Sequence, residues 1–237
     1  MSKFLAVPIM LLSSALHASV VVYDLSQASS ASLSPSLQED GFYGSNLTLT
    51  NDTGVQVLAT SNLLLAQNWG SSIDPNKYFE VTLGHSSSYF IVDSLQFSLA
   101  DTSVNPNFLD LRSSVDGFST SLFADVNPSP PLEGFVTDYS VDLMYHNLFA
   151  DSSGQLAFNS PITFRWYLTA DSTNDLAGFV NCPAPLVSGC GFSGSGSDLI
   201  ISAQAVAAPV PIPSAGPLFL MVIAACLGVV RRSKFRD

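Results

Sequence analysis

The chain of 237 residues is 47% hydrophobic and 11% charged, with a formal net charge of −11. Five of its eight basic residues lie at the ends (Lys3, Arg231, Arg232, Lys234, Arg236), so residues 19–206 carry Lys77, Arg112 and Arg165 against eighteen carboxylates, about −15. So acidic a body cannot neutralise phosphates, which excludes nucleic acid as a partner and disfavours an anionic lipid surface; it suits a solvated surface, calcium or neutral sugars.

In chain order, Lys3 supplies a positive start, Phe4 to Leu12 an apolar run, and small residues follow to Ala18. This pattern predicts a signal peptide over residues 1–18 cleaved before Ser19, with cleavage after Ala15 as the alternative and an uncleaved anchor or buried helix as the bland reading.

Residues 19–206 suit one domain. Helical periodicity is nearly absent, while short alternating β-branched and aromatic stretches are separated by Gly, Asn, Asp, Ser and Pro. The predicted strands are Val20–Leu25, Leu47–Thr50, Val55–Ala59, Phe79–Leu83, Tyr89–Leu99, Phe108–Leu111, Thr120–Ala124, Tyr139–Met144, Ile162–Thr169 and Leu199–Val206. Asn51 to Gly54 reads as a turn, and Asn127 to Pro131 as a loop. The pattern predicts an all-β, antiparallel β-sandwich of jelly-roll type, flanked by an N-terminal signal helix and a C-terminal hydrophobic helix; a closed barrel is the alternative.

Arg112 is a candidate ligand contact, a planar fork for a sugar or carboxylate; the competing reading, an ion pair with Asp116 across the Ser113–Gly117 turn, is favoured. Trp69, before Gly70 in a loop-like stretch, is the candidate for stacking against a sugar, whereas Trp166, mid-strand between Arg165 and Tyr167, reads as core. Asp171, Asn174 and Asp175 are close enough together to hold a structural calcium, although Asp and Asn clusters are first of all turn formers. His85 and His146 read as surface or strand-end residues. No Gly-x-Ser-x-Gly elbow is present, and the carboxylates single out no catalytic pair, so no catalytic residue is assigned.

Cys182 and Cys190 bound a Gly/Pro-rich stretch. In an oxidising compartment the simplest reading is a disulfide closing that loop, worth about 2–3 kcal/mol. Cys226 falls within an apolar stretch, Leu218 to Val230, which is uncharged but short of the roughly 20 residues of a full membrane span. The cations Arg231, Arg232, Lys234 and Arg236 follow at once and should remain on the cytoplasmic side. An ordinary single-pass anchor is the bland reading of this tail.

Val210-Pro211-Ile212-Pro213, the hydrophobic segment 218–230 and the basic end together resemble the PEP-CTERM sorting signal of exported bacterial proteins, in a Val-Pro-x-Pro variant. The body is similar to a sandwich domain recurrent in such proteins. That likeness rests on Asn68-Trp69-Gly70, on Tyr78 to Leu83, on Leu111-Arg112-Ser113-Ser114-Val115-Asp116-Gly117-Phe118, and on Thr163-Phe164-Arg165-Trp166-Tyr167. The family's terminal Phe-Asp-Asn-like element is replaced here by residues 191–198.

The resemblance implies residues 207–237 as a sorting tail, an exosortase-type enzyme as processing partner, and transient anchoring in the inner membrane. It implies a final location in the envelope, surface or extracellular matrix of a Gram-negative bacterium. The expected role is non-catalytic, binding or organising exopolysaccharide. A jelly-roll glycoside hydrolase or lyase and a purely structural surface subunit are the alternatives.

Overall fold

The computed structural model describes residues 19–28, 32–50, 57–60, 62–102, 108–125, 136–152, 154–170, 174–182 and 196–207. The chain divides after Val206, and of the second unit, residues 207–237, only Ala207 is described. The sorting motif, the hydrophobic segment, the basic end and the signal region therefore lie outside the described residues, as do the Asn51–Gly54 turn and the Asn127–Pro131 loop. Among the described residues no helix is long and apolar enough to cross a membrane.

Among the described residues seventeen strands follow in order: β1 (Ser19–Tyr23), β2 (Ser32–Leu33), β3 (Leu37–Gln38), β4 (Phe42–Gly44), β5 (Leu47–Leu49), β6 (Val57–Thr60), β7 (Leu63–Ala66), β8 (Phe79–His85) and β9 (Tyr89–Asp101). The second half holds β10 (Leu109–Ser113), β11 (Ser121–Asp125), β12 (Val136–Asp142), β13 (Ala150–Asp151), β14 (Gly154–Gln155), β15 (Ile162–Leu168), β16 (Ala177–Val180) and β17 (Leu199–Val206). Short 3-10 turns cover Leu25–Gln27 and Ser114–Asp116. Among the described residues there is no α-helix.

All pairings are antiparallel. One sheet runs β3-β1-β17-β9-β16-β7-β6, with β12 also on β9; the other runs β11-β10-β15-β8-β5-β2, with β4 also on β8. Among the described residues both sheets have ends in their strand order, with β13 and β14 forming a separate two-stranded sheet, so the first unit is a two-sheet sandwich and not a closed barrel. Each strand's period-2 alternation sends one side chain in and the next out. Phe79, Val81 and Leu83 of β8, Phe164, Trp166 and Leu168 of β15, and Leu109 and Leu111 of β10 face inward. They meet Leu95, Phe97 and Leu99 of β9, Phe179 of β16, and Leu199 and Ile201 of β17. Phe97, Trp166, Phe179 and Phe79 interlock edge to face at 5.2–6.1 Å between centroids, the arrangement the ring quadrupoles favour.

Each of the ten strands expected from the sequence is present, with ends shifted by a few residues. The first stops at Tyr23 because Asp24 accepts from the Ser26 amide and caps a 3-10 turn.

Candidate functional site

Alternation that buries one face of the second sheet puts a different set of side chains on its other face. Along β10 these are Asp110 and Arg112; along β15, Thr163, Arg165 and Tyr167; along β8, Glu80 and Thr82, with Tyr78 just before the strand. The register aligns them into cross-strand rows: Arg112 opposite Arg165, Arg165 opposite Glu80, and Glu80 opposite Thr48. A neighbouring row sets Asp110 opposite Tyr167.

The two arginines are interleaved with aromatic rings. The Arg165 guanidinium carbon lies 4.0 Å from the Tyr78 ring centroid and 3.8 Å from that of Phe118, and its Nε donates to Glu80 at 3.1 Å. Arg112 lies 5.3 Å from the Tyr167 centroid. Tyr78 and Tyr167 meet edge to face at 5.5 Å. The side chains of Arg112 and Arg165 are 31% and 24% exposed, so the cluster faces solvent without projecting into it.

Phe118 reaches Arg165 because of the turn that precedes it. After β10 the chain makes the 3-10 turn Ser114–Asp116, ends it with Gly117 at φ +71°, and continues left-handed into Phe118 at φ +63°. A second left-handed residue, and a bulky one, is a costly conformation held by its surroundings. The Phe118 amide donates to Ser113 O at 2.9 Å, and its carbonyl accepts from Arg112 Nη1 at 3.2 Å. The turn itself is tied to β15, where the Thr163 amide donates to Ser114 Oγ. Thus the Arg112–Phe118 and Thr163–Tyr167 segments, distinctive in the sequence, come together on one face.

Two sequence expectations need correction. The ion-pair partner of Arg112 is Asp110, not Asp116: Nε and Nη2 donate to Asp110 Oδ2 at 2.8 and 2.6 Å. Residues i and i+2 of a strand share a face, so the alternation itself pointed to Asp110. Hydrogen bonding to Asp110 keeps Arg112 above its ordinary pKa, against the opposing effect of burial. Asp116 instead accepts from the Ser119 amide and shapes the turn. Its burial, which would raise its pKa, is outweighed by hydrogen bonds that hold it below the ordinary value.

Trp69 is not a surface stacking residue. It is 1% exposed, its indole N–H donates to Ala66 O at 2.8 Å and Ala177 O at 3.2 Å, and its ring packs on Phe79. Asn68 (φ +69°) and Gly70 (φ +87°) turn the chain on either side of it and swing the indole inward. Trp166 is fully buried, as its strand position implied.

Of the calcium candidates, Asp171 lies outside the described residues; Asn174 is exposed and Asp175 half-buried. No group of three or more His, Cys, Asp or Glu is placed to hold a metal among the described residues. Cys182 is buried two residues past the end of β16, and Cys190 lies outside the described residues. His85 ends β8, its Nε2–H donating to Asp40 O at 2.8 Å and its Nδ1 accepting the Ser87 and Ser88 amides. Those two amide contacts require an unprotonated Nδ1, which makes Nε2 the donor to Asp40 O.

Chemically, the face offers planar cations, aromatic rings, hydroxyls and carboxylates with nearly cancelling charge. Asp110 and Glu80 are both engaged by guanidinium groups, so neither stands as a free acid or base. Each guanidinium carries five N–H donors, and Arg112 keeps N–H groups beyond its bonds to Asp110 and Phe118. Asp110 is 2% exposed, and its Oδ1 is buried with no hydrogen-bond partner among the described residues.

No protein-family model and no curated protein matches the chain. Among solved structures it is similar to family 29 carbohydrate-binding modules. A variant complexed with mannohexaose shares 16% identity over 79% of this chain and 93% of that one, with a TM-score of 0.33. A variant complexed with cellohexaose shares 14% identity over 78% and 91%, also at 0.33. At such scores nothing about this chain's ligand or residue roles follows from the likeness.

Proposed function

We propose that this chain is an exported, non-catalytic protein whose jelly-roll-like sandwich binds neutral polysaccharide on the outer face of the second sheet. The observation that carries the reading is the Tyr78–Arg165–Phe118 stack beside Arg112 and Asp110. Aromatic rings offer apolar faces to sugar C–H groups, and guanidinium N–H groups, the part-exposed Glu80 carboxylate and the Thr82 and Thr163 hydroxyls serve sugar hydroxyls. The two cations and two carboxylates of the cluster balance, while the body around them is strongly anionic and repels acidic polymers. The engagement of Asp110 and Glu80 by arginine speaks against glycoside cleavage, which needs one carboxyl as acid and another as base or nucleophile.

The location is part of the same proposal. A cleaved signal over 1–18, a disulfide between Cys182 and Cys190, and an exosortase-processed tail beginning near Val210-Pro211-Ile212-Pro213 would deliver the sandwich to the envelope or matrix.

Calorimetric titration with the host's own exopolysaccharide tests the binding. The expected result is saturable heat, weakened about tenfold in Tyr78→Ala, an aromatic contact at the upper end of its usual worth. Absence of binding by the native protein, in a sample with a native melting profile, would overturn the reading. Intact mass of protein from membrane and medium tests the export: loss of both ends supports it, and a retained basic tail sinks it.

A further inference from the structure

The outer face of the second sheet continues past the arginine cluster. Residues 78, 80, 82 and 84 share that face along β8 by alternation. At the far end β4 pairs with β8, Tyr43 opposite Gly84. Phe42 turns inward, 4% exposed and edge-on to Phe90, so Tyr43 turns outward, and it is 41% exposed. Gly84 is what lets the ring settle there: a Cβ on Gly84 would stand 2.4 Å from Tyr43 Cζ and Oη. The tyrosine thus lies against bare backbone, held on the sheet while open to solvent.

Between the two aromatic ends the face is polar. Thr82 and Thr163 are cross-strand partners with their hydroxyls 2.8 Å apart, and Glu80 sits one row nearer the arginines. From Tyr78 to Gly84 is six residues, about 20 Å at the rise of a strand. That is the length of several sugar residues and far beyond one.

We propose that the glycan site is a track along β8 for the interior of a linear, neutral polysaccharide, with Tyr43 as its second aromatic contact. The proposal rests on the glycan reading above. It assigns Tyr43 a role that the Tyr78–Arg165–Phe118 stack does not require. An internal-chain site follows from the geometry: the two aromatic contacts are separated along one strand face, so a ligand that touches both must extend between them. Short sugars fill only one end.

The test is calorimetric titration with neutral linear gluco-, manno-, xylo- and galacto-oligosaccharides of two to six residues, on the native protein and on Tyr43→Ala, Tyr78→Ala and Gly84→Ala, each first checked by its melting curve. For the oligosaccharide series that binds, affinity should rise with length. Tyr43→Ala should weaken the hexasaccharide about fivefold to tenfold and leave the disaccharide unchanged, whereas Tyr78→Ala should weaken both. Gly84→Ala, which displaces the Tyr43 ring without removing it, should reproduce the length-selective loss. It also keeps the proposal testable if Tyr43→Ala fails to fold. Affinity that is flat with length, or a hexasaccharide indifferent to Tyr43→Ala and Gly84→Ala yet weakened by Tyr78→Ala, would overturn the track and leave the glycan reading standing. Failure of the native protein to bind any series or the host exopolysaccharide would overturn both.

Discussion

Arg112 and Arg165 are register partners on adjacent strands, yet each guanidinium stacks on a ring supplied by the other's segment. Like charges directly opposite one another destabilise a sheet. Here Asp110 and Glu80 each pair with one of the two cations, and Tyr167 and Phe118 pack against the guanidinium groups, which offsets the repulsion.

The first prediction concerns Arg165. Lysine keeps the charge but lacks the plane that fits between Tyr78 and Phe118. Arg165→Lys should therefore cost about 1–2 kcal/mol of stability, read from urea denaturation. In a double-mutant cycle Arg165→Lys and Phe118→Leu should be non-additive by about 0.5–1.5 kcal/mol. Additive effects would mean that the stack contributes nothing beyond ordinary packing.

Trp69 should behave as a core residue. Trp69→Phe removes the indole donor from Ala66 O and Ala177 O while keeping a ring against Phe79. It should lower stability by about 1–3 kcal/mol through the unsatisfied carbonyls and lost volume, with glycan affinity unchanged. A selective loss of affinity at full stability would contradict the buried position.

Gly117 holds the turn that delivers Phe118. An added Cβ would meet nothing within 4 Å, so the cost of Gly117→Ala is that of the left-handed backbone alone. About 1–2 kcal/mol is expected, from the shift of the urea midpoint. A neutral result would show that the turn tolerates another conformation.

Tyr23 should make the protein sensitive to alkali. It is fully buried, its hydroxyl donates to Ser45 O at 2.6 Å, and burial pushes its pKa above the ordinary 10.0. Between the unfolded and folded values the unfolded state has lost a proton that the folded state keeps. Stability is therefore fully present below about pH 10 and falls as pH rises through that window. Tyr23→Phe should be less stable at pH 8, for want of the hydrogen bond, but should fall less steeply from pH 9 to 11 in urea titrations. Parallel slopes in the two proteins would exclude Tyr23 as a cause.

What the sequence disclosed, and what it hid, divides along the range of the interactions. Alternation and β-branching marked the longer strands because each carries its own pattern of burial. β7, Leu-Leu-Leu-Ala, and β16, Ala-Gly-Phe-Val, escaped because all four residues of each are buried and show no alternation. Gly178 in β16 also reads as a breaker. Its reason is tertiary: a Cβ there would come within 2.3 Å of Leu64 O on β7. The Arg112–Phe118 and Thr163–Tyr167 segments were conspicuous separately, but their meeting depends on the pairing of β10 with β15, which local pattern does not encode. Tyr43 drew no notice for a similar reason, since its position is set by a glycine 41 residues away in the sequence and opposite it in the sheet.

The closure of the first sheet sets an order of events for the newborn chain. β1 pairs with the nearby β3 on one side, but on its other side with β17, Ser19 against Ala203, so that second edge of the earliest described strand must wait for the last. Such pairing across nearly the whole body makes for slow assembly and leaves Val21 and Tyr23 unsheltered meanwhile. A chain released before residue 206 would have a ready-made vacancy beside β9, and a second copy's β17 would fit it as well as its own.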